Sequence, residues 1–113
     1  MLFRSDDIHA KVKGGPPGRQ QEYDLILENG RHVAVIEVKY KFKKSDLHQL
    51  DQQLARIRSD FPVYKRKRLY GGIAGFSIPT EVAAAARARG YFVLRRRGQL
   101  LRVEATDMKE APV

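Results

Sequence analysis

Two short segments, residues 23–27 and 32–38, are mostly apolar and are separated by four polar or turn-forming residues, and this pattern predicts a pair of β-strands. Both segments are rich in β-branched and long apolar side chains, which pack well on a pleated sheet. Asn29-Gly30 lies between them and is a strong hairpin signal, because both central residues of a type I′ turn need a positive φ. The sequence therefore predicts an antiparallel β-hairpin from Glu22 to Lys39.

The register of this hairpin decides which side chains share a face. With residues 29 and 30 as the loop, Asp24 lies opposite Val35. Side chains alternate across a strand, so Asp24, Glu37 and Lys39 emerge on one face. The two acids are then diagonal cross-strand neighbours, about 7–8 Å apart at the backbone. The reverse face is predicted to join the core with Leu25, Leu27, Ala34, Ile36 and Val38.

Two acids and a lysine on one face indicate a particular chemistry. Neighbouring carboxylates repel each other, and each raises the pKa of the other unless a cation lies between them. Mg²⁺ is bound by one or two carboxylates together with water and phosphate oxygens. Lys39 would point at the same site, where it could stabilise charge on a phosphate or help to deprotonate a water. The alternative is an ordinary cluster of surface ion pairs across two strands.

Asp24 followed by Glu37-Val38-Lys39 resembles the signature of the PD-(D/E)XK nuclease superfamily, which includes many restriction enzymes and the archaeal Holliday junction resolvases. That signature has an Asp on one strand and (D/E)-x-K on the next, and Tyr23 stands here where the Pro would be. The resemblance implies that Asp24, Glu37 and the main-chain carbonyl of Val38 bind Mg²⁺ or Mn²⁺. It also implies that Lys39 is the catalytic lysine and that DNA is the substrate.

The remaining apolar pattern predicts further strands and two helices. Apolar residues spaced by 3, 4, 3 and 4 between residues 47 and 61 form one helical stripe. A helix should therefore run from about residue 46 to about residue 60, with Ser45 as its N-cap. A second helix should begin at an N-cap, Thr80, and end at Gly90. Strands are predicted at residues 8–13, 69–78, 91–94 and 99–103, with loops at 14–18 and 95–98.

These elements follow the order β-β-β-α-β-α-β, with a further strand at the end. Strand–helix–strand connections place neighbouring strands parallel, whereas the hairpin at the front is antiparallel. The predicted fold is therefore α/β, a mixed sheet with helices on its faces. This order is also that of the restriction-endonuclease-like core, and the resemblance covers about residues 8–103. We expect one nuclease-like domain over residues 1–113, with a flexible tail at 104–113.

The net charge indicates a binding partner, and the composition excludes some kinds of site. A net charge of +9 and a pI near 10.1 make an acidic polymer, here DNA, the expected partner. The absence of cysteine excludes disulfides and thiolate metal sites. With no long apolar run and no signal-peptide core, we expect a cytoplasmic protein without membrane contact. The candidate nucleic-acid contacts are Lys41, Lys43, Lys44, Gln49, Lys65, Arg66, Lys67 and Arg68, for which plain solvated surface is the alternative.

The front of the chain departs from the superfamily. Its members usually begin with a helix that packs on the sheet and often carries another acid, whereas about eight residues precede the first predicted strand here. Asp6 or Asp7 could take the place of that acid. We expect that the chain is a fragment, or that a homodimer partner or a larger complex covers the bare face. Two functions stay open beside a nuclease: a non-catalytic module that binds nucleic acid or docks to a complex, and a generic small α/β interaction domain.

Overall fold

The structure, a computed structural model, describes residues 7–97, 100–103 and 109–111. This part of the chain forms one six-stranded sheet with two α-helices. The elements are β1 (Asp7–Gly14), β2 (Gln21–Asn29), β3 (His32–Lys41), α1 (Asp46–Asp60), a short 3₁₀ helix (Pro62–Tyr64), β4 (Arg68–Ser77), α2 (Thr80–Ala88), β5 (Phe92–Arg97) and β6 (Leu100–Val103). Neither helix in the described ranges is long and apolar enough to cross a membrane.

The strands lie side by side in their chain order. β1, β2 and β3 are antiparallel neighbours, as short connections require. β3, β4 and β5 are parallel neighbours, because a helix crosses over between each pair, and β6 returns antiparallel to β5. The structure therefore confirms the predicted α/β class, with its mixed sheet and its order of strands and helices.

The hairpin register differs from the predicted one by two residues. Asn29 pairs with His32, so the turn consists of Gly30 and Arg31. Gly30 has φ 56°, whereas Arg31 is not among the described residues with positive φ, so a positive φ is needed only at the first turn position. A slip of two residues leaves every side chain on its face. The last pair of the ladder is Leu25 with Ile36. One residue further, the same register places Asp24 directly opposite Glu37, whereas the predicted register placed the two acids diagonally.

β3 is a central strand, and its residues 33–37 are all buried. Helix α1 covers the face that carries Glu37, since Gln53 of α1 lies beside the Glu37 carboxyl group. The residues that α1 buries are Leu47, Leu50, Gln53, Leu54 and Ile57. The sequence assigned the core to the reverse face of the hairpin alone, and this was wrong because α1 closes over the acidic face as well. Val38, predicted in the core, is 46% exposed at the end of the strand.

Helix α1 has the predicted bounds and the predicted N-cap position, but the side chain at that position does not cap the helix. Ser45 is helical, with φ −63° and ψ −24°, and its side chain makes no capping hydrogen bond. The side chain of Asp46 instead stabilises the turn before the helix, because its Oδ2 accepts a hydrogen bond from the main-chain N–H of Lys43 at 2.8 Å.

Two boundaries in the second half also differ from the prediction. Helix α2 begins at Thr80 and Pro79 is its N-cap, one residue before the predicted cap. Gly90 follows the helix with φ 82°, as predicted. The predicted turn at residues 95–98 was wrong for 95–97, because pairing with β6 extends β5 through them, and residue 98 lies outside the described part.

Residues 109–111 lie against the body of the fold. The N–H of Lys109 donates to the carbonyl of Gly90 at 3.0 Å, and that of Ala111 donates to the carbonyl of Leu69 at 2.7 Å. The rest of the predicted tail, residues 104–108 and 112–113, lies outside the described residues.

Candidate metal and nucleic-acid site

The two acids meet where β2 and β3 lie side by side, beyond the hairpin turn. Asp24 falls in a break of the ladder between β1 and β2, opposite Lys11, whose φ is 51°. Its Oδ2 accepts a hydrogen bond from the main-chain N–H of Val38 at 3.0 Å. This bond holds the Asp24 carboxylate against β3, next to Glu37.

Lys39 joins the two acids at the rim of the site. Its Nζ lies 3.8 Å from Glu37 Oε1, beyond hydrogen-bond distance. The Lys39 side chain is 37% exposed, whereas that of Glu37 is 1% exposed. The structure thus brings together the three side chains that the sequence singled out: a buried acid, a half-buried acid and a lysine that reaches solvent. Their metal-binding and catalytic roles stay predictions.

Glu37 is an unusual group for a strand interior. Glutamates are almost never fully buried unless they are paired. Burial is the main reason that the pKa of its carboxyl group rises from the ordinary 4.5 to about 7, and the neighbouring Asp24 carboxylate raises it further. Gln53 and Lys39 act in the opposite direction. Glu37 Oε2 is buried and has no hydrogen-bond partner among the described residues.

Gln53 is the site residue that the sequence analysis missed. It is fully buried on α1, and its Nε2 donates to the main-chain carbonyl of Glu22 at 3.2 Å. Its Oε1 is a second buried oxygen without a partner among the described residues. The signal was present in the sequence, because position 53 follows the buried Leu50 by three residues and so lies on the apolar stripe. The prediction chose Gln49 or Gln52 instead. Gln49 lies one turn before Gln53 and is half-buried, and Gln52 is exposed.

The donor set fits a hard divalent cation. Asp24 and Glu37 offer carboxylate oxygens, and the backbone of Val38 lies at the same point. One buried Glu37 oxygen has no partner within residues 7–97, 100–103 and 109–111. Mg²⁺ usually keeps several waters and takes only one or two carboxylates from the protein. The described residues contain no group of three or more His, Cys, Asp or Glu side chains placed to hold a metal. Water and substrate oxygens would therefore have to complete the coordination.

The other acids considered at the front of the chain do not add to this site. Asp7 pairs with Glu28 in the β1–β2 ladder, near the hairpin turn and away from Asp24. Asp6 lies outside the described residues.

The two basic segments lie at opposite ends of the sheet. Lys41, Lys43 and Lys44 are exposed where β3 ends, just beyond Lys39. Arg68 instead pairs with His32 at the start of β3, and Glu37 pairs with Ile73 five residues further along. Five residues of strand span roughly 16 Å.

The run Lys65–Arg66–Lys67–Arg68, a candidate nucleic-acid contact, lies away from the two acids because β4 runs parallel to β3. Lys67 already has a hydrogen-bond partner within the fold, since its Nζ donates to the carbonyl of Gly30 at 2.7 Å. Whether any of these basic residues contacts DNA stays a prediction.

The raised pKa of Glu37 predicts a specific dependence of stability on pH. Folding favours the protonated carboxyl group, so this contribution is complete below pH 4.5 and is lost as the pH rises through about 7. In EDTA, the free energy of unfolding should fall between pH 5 and pH 8 by on the order of 2 kcal/mol more in the wild type than in Glu37→Gln, whose side chain does not titrate. Urea titrations at several pH values measure this difference. Parallel pH curves for the two proteins would contradict the assigned burial of the carboxyl group.

No protein-family model matches this chain, and no curated protein matches it. Among solved structures it is similar to the small subunit (R.BspD6I2) of the heterodimeric restriction endonuclease R.BspD6I. The two chains share 14% sequence identity with a TM-score of 0.46, and the match covers 80% of this chain and 54% of that subunit. This chain therefore spans about half the length of the protein that it matches.

Proposed function

We propose that this protein is a metal-dependent nuclease that hydrolyses phosphodiester bonds in DNA. The observation that carries the proposal is the environment of Glu37. Its buried carboxyl group has one oxygen without a partner in the described part of the chain, and it lies beside Asp24 and within 3.8 Å of the Lys39 ammonium. A fold gains nothing in stability from such a group, because burial without a full set of partners costs free energy. Groups with strongly perturbed pKa values and a specific charged partner are typical of functional sites.

The acids would hold the metal. Asp24 and Glu37 are hard oxygen donors, and the main-chain carbonyl of Val38 would be the third ligand from the protein. Mg²⁺ or Mn²⁺, when bound, supplies a Lewis acid that stabilises charge on the phosphate oxygens. The hydrogen bond from the Val38 N–H fixes the orientation of the Asp24 carboxylate before any ligand arrives. Gln53 packs beside Glu37 and restrains its side chain from the side of the helix.

Lys39 would act on the reacting phosphate. Its ammonium is close enough to Glu37 to be held by charge, yet the distance of 3.8 Å leaves its protons free for another acceptor. A phosphate oxygen at the rim of the site could take such a hydrogen bond, which strengthens as negative charge develops during attack by water. In that step a bond forms from phosphorus to the water oxygen, and the bond to the leaving sugar oxygen breaks.

DNA is the proposed substrate because the charges at this end of the sheet suit an anionic polymer. The lysines that follow the site, Lys41, Lys43 and Lys44, are exposed, and the whole chain carries a net charge of +9. Cations of this kind hold phosphates without reading sequence. Single-turnover cleavage of mixed DNA substrates with Mg²⁺ or Mn²⁺ is the experiment that tests the proposal.

A non-catalytic module that holds nucleic acid is the second candidate. It is favoured by one observation, that the described residues bring only two carboxylates to the site and no cluster of three. Such a module would bind DNA through the same lysines but would cut none of the substrates.

The placement of the basic residues predicts the salt dependence of DNA binding. Changing Lys41, Lys43 and Lys44 to alanine should flatten the slope of log affinity against log salt by about 2–3 units, since each lost phosphate contact removes close to one released counterion. The matched control removes the same number of charges at the far end of the sheet, from Lys65, Arg66 and Arg68, and leaves the engaged Lys67 in place.

Fluorescence anisotropy at roughly 50 to 300 mM salt measures both slopes. This range spans strong and weak binding. The control should keep the wild-type slope. A flattened slope in the control with no change in the first variant would place the DNA footprint at the start of β3 and β4.

A further inference from the structure

Two aromatic rings lie exposed on the surface at the end of the central strands. Tyr40 is 77% exposed and Phe76 is 51% exposed, although large apolar side chains are usually covered. Their ring centroids are 5.3 Å apart and the ring planes differ by 5°, so the rings are stacked. The parallel register explains the pair, because Lys39 pairs with Gly75 and Lys41 with Ser77, which places the two rings side by side. The platform of Tyr40 and Phe76 is therefore held by two neighbouring strands.

The platform lies at the same end of β3 as the candidate site. Side chains alternate along a strand, so Tyr40 emerges on the face opposite to Glu37 and Lys39, one residue beyond the lysine. Exposed lysines follow Tyr40 in the sequence at positions 41, 43 and 44, and no acid occurs between Val38 and Asp46. A strand of nucleic acid that crosses the end of the sheet could reach the platform and the site together.

We propose that Tyr40 and Phe76 form a stacking platform for an unpaired base, and that the protein's DNA ligand carries a single-stranded segment next to the site. Every base has a flat π-face, and stacking on an aromatic side chain is the usual way in which proteins hold single strands without reading their sequence. The two rings are already parallel, so little side-chain freedom remains to be lost on binding. The neighbouring lysines supply the phosphate contacts that such binding needs.

Charge favours nucleic acid over a second copy of this chain as the occupant. In a self-interface, the lysines around one platform would face those around the other, and each chain carries a net charge of +9. Like charges brought together in this way oppose association. The proposal refines the proposed function by naming the form of the DNA, and it rests on that function only in taking DNA as the ligand.

Binding in EDTA tests the proposal independently of cleavage. The probes are a fluorescent oligo-dT strand and a blunt duplex of the same length. The wild type should prefer the single strand, and Tyr40→Ala or Phe76→Ala should weaken single-strand binding by about 10-fold while changing duplex binding less than 2-fold. Tyr40→Phe should bind like the wild type, because it keeps the ring. Tyr40→Leu should bind like Tyr40→Ala, because it is apolar but has no π-face.

Val63→Ala is the matched control, and it should leave both affinities unchanged. Val63 is 73% exposed and lies in the 3₁₀ helix before β4, whereas Phe76 lies near the end of that strand. Three results would overturn the proposal: equal affinity of the wild type for the two probes, full binding by Tyr40→Leu, or a wild-type dimer that Tyr40→Ala converts to a monomer in sedimentation velocity. Selective loss of single-strand binding in a protein that cuts no DNA would support the platform and reject only the nuclease.

Discussion

Replacing Lys39 by alanine should lower the rate of DNA cleavage by on the order of 100-fold or more and leave DNA affinity within a few-fold of the wild type. The reason is the position of its ammonium, at the rim of the site and 3.8 Å from Glu37 Oε1. There it meets charge that grows on the phosphate oxygens during attack, so it stabilises the transition state more than the bound substrate. Single-turnover cleavage gives the rate, and anisotropy in EDTA gives the affinity.

Two further variants sharpen this test. Lys39→Arg should restore little activity, because a planar guanidinium places its charge and its N–H donors differently from an ammonium. Lys13→Ala removes the same charge from an exposed position of β1 and should cleave at the wild-type rate. Full cleavage by Lys39→Ala would mean that any activity has its source elsewhere on the protein.

Replacing Glu37 by glutamine should abolish metal-dependent stabilisation. A divalent ion that binds the folded protein and not the unfolded chain adds RT ln(1 + [L]/Kd) to the free energy of unfolding, about 2.7 kcal/mol at 100 times Kd. The amide of glutamine is uncharged and is a poor ligand for Mg²⁺, so this gain should disappear. Thermal unfolding with and without millimolar Mn²⁺ or Mg²⁺ measures the effect.

The control for Glu37→Gln is Glu81→Gln, which makes the same change at an exposed position in the first turn of α2. Its metal-dependent stabilisation should equal that of the wild type. If the wild type itself gains no stability from either ion, the assignment of Asp24 and Glu37 as metal ligands loses its support.

Local patterns were enough to predict most of the fold. The stripe between residues 47 and 61 gave the bounds of α1, because apolar residues at helical spacing leave little freedom. Four of its five members, Leu47, Leu50, Leu54 and Ile57, are buried in α1. The convergence of Asp24, Glu37 and Lys39 was also predictable although the hairpin register was not. An error of two residues in register preserves the face of every side chain, whereas an error of one would have separated the acids from each other.

Other features of the site depend on contacts between distant parts of the chain. The position of the run 65–68 at the far end of the sheet follows from the parallel pairing of β3 with β4, which no local pattern specifies. The same pairing brings Tyr40 beside Phe76. The closure of α1 over Glu37 made Gln53 part of the site. The spacing of Gln53 from Leu50 predicts that it faces inward, but no local pattern shows that α1 covers the acidic face.

The most direct test of the nuclease assignment is the cleavage of a panel of single-stranded, duplex and branched DNA by the wild type and by Asp24→Asn, with Mg²⁺ or Mn²⁺ and with EDTA. The nuclease assignment predicts that the wild type cuts at least one substrate, only when the divalent ion is present, and that Asp24→Asn cuts none at a measurable rate. A wild type that binds DNA but cuts no substrate would contradict it, as would cleavage that continues in EDTA or in Asp24→Asn.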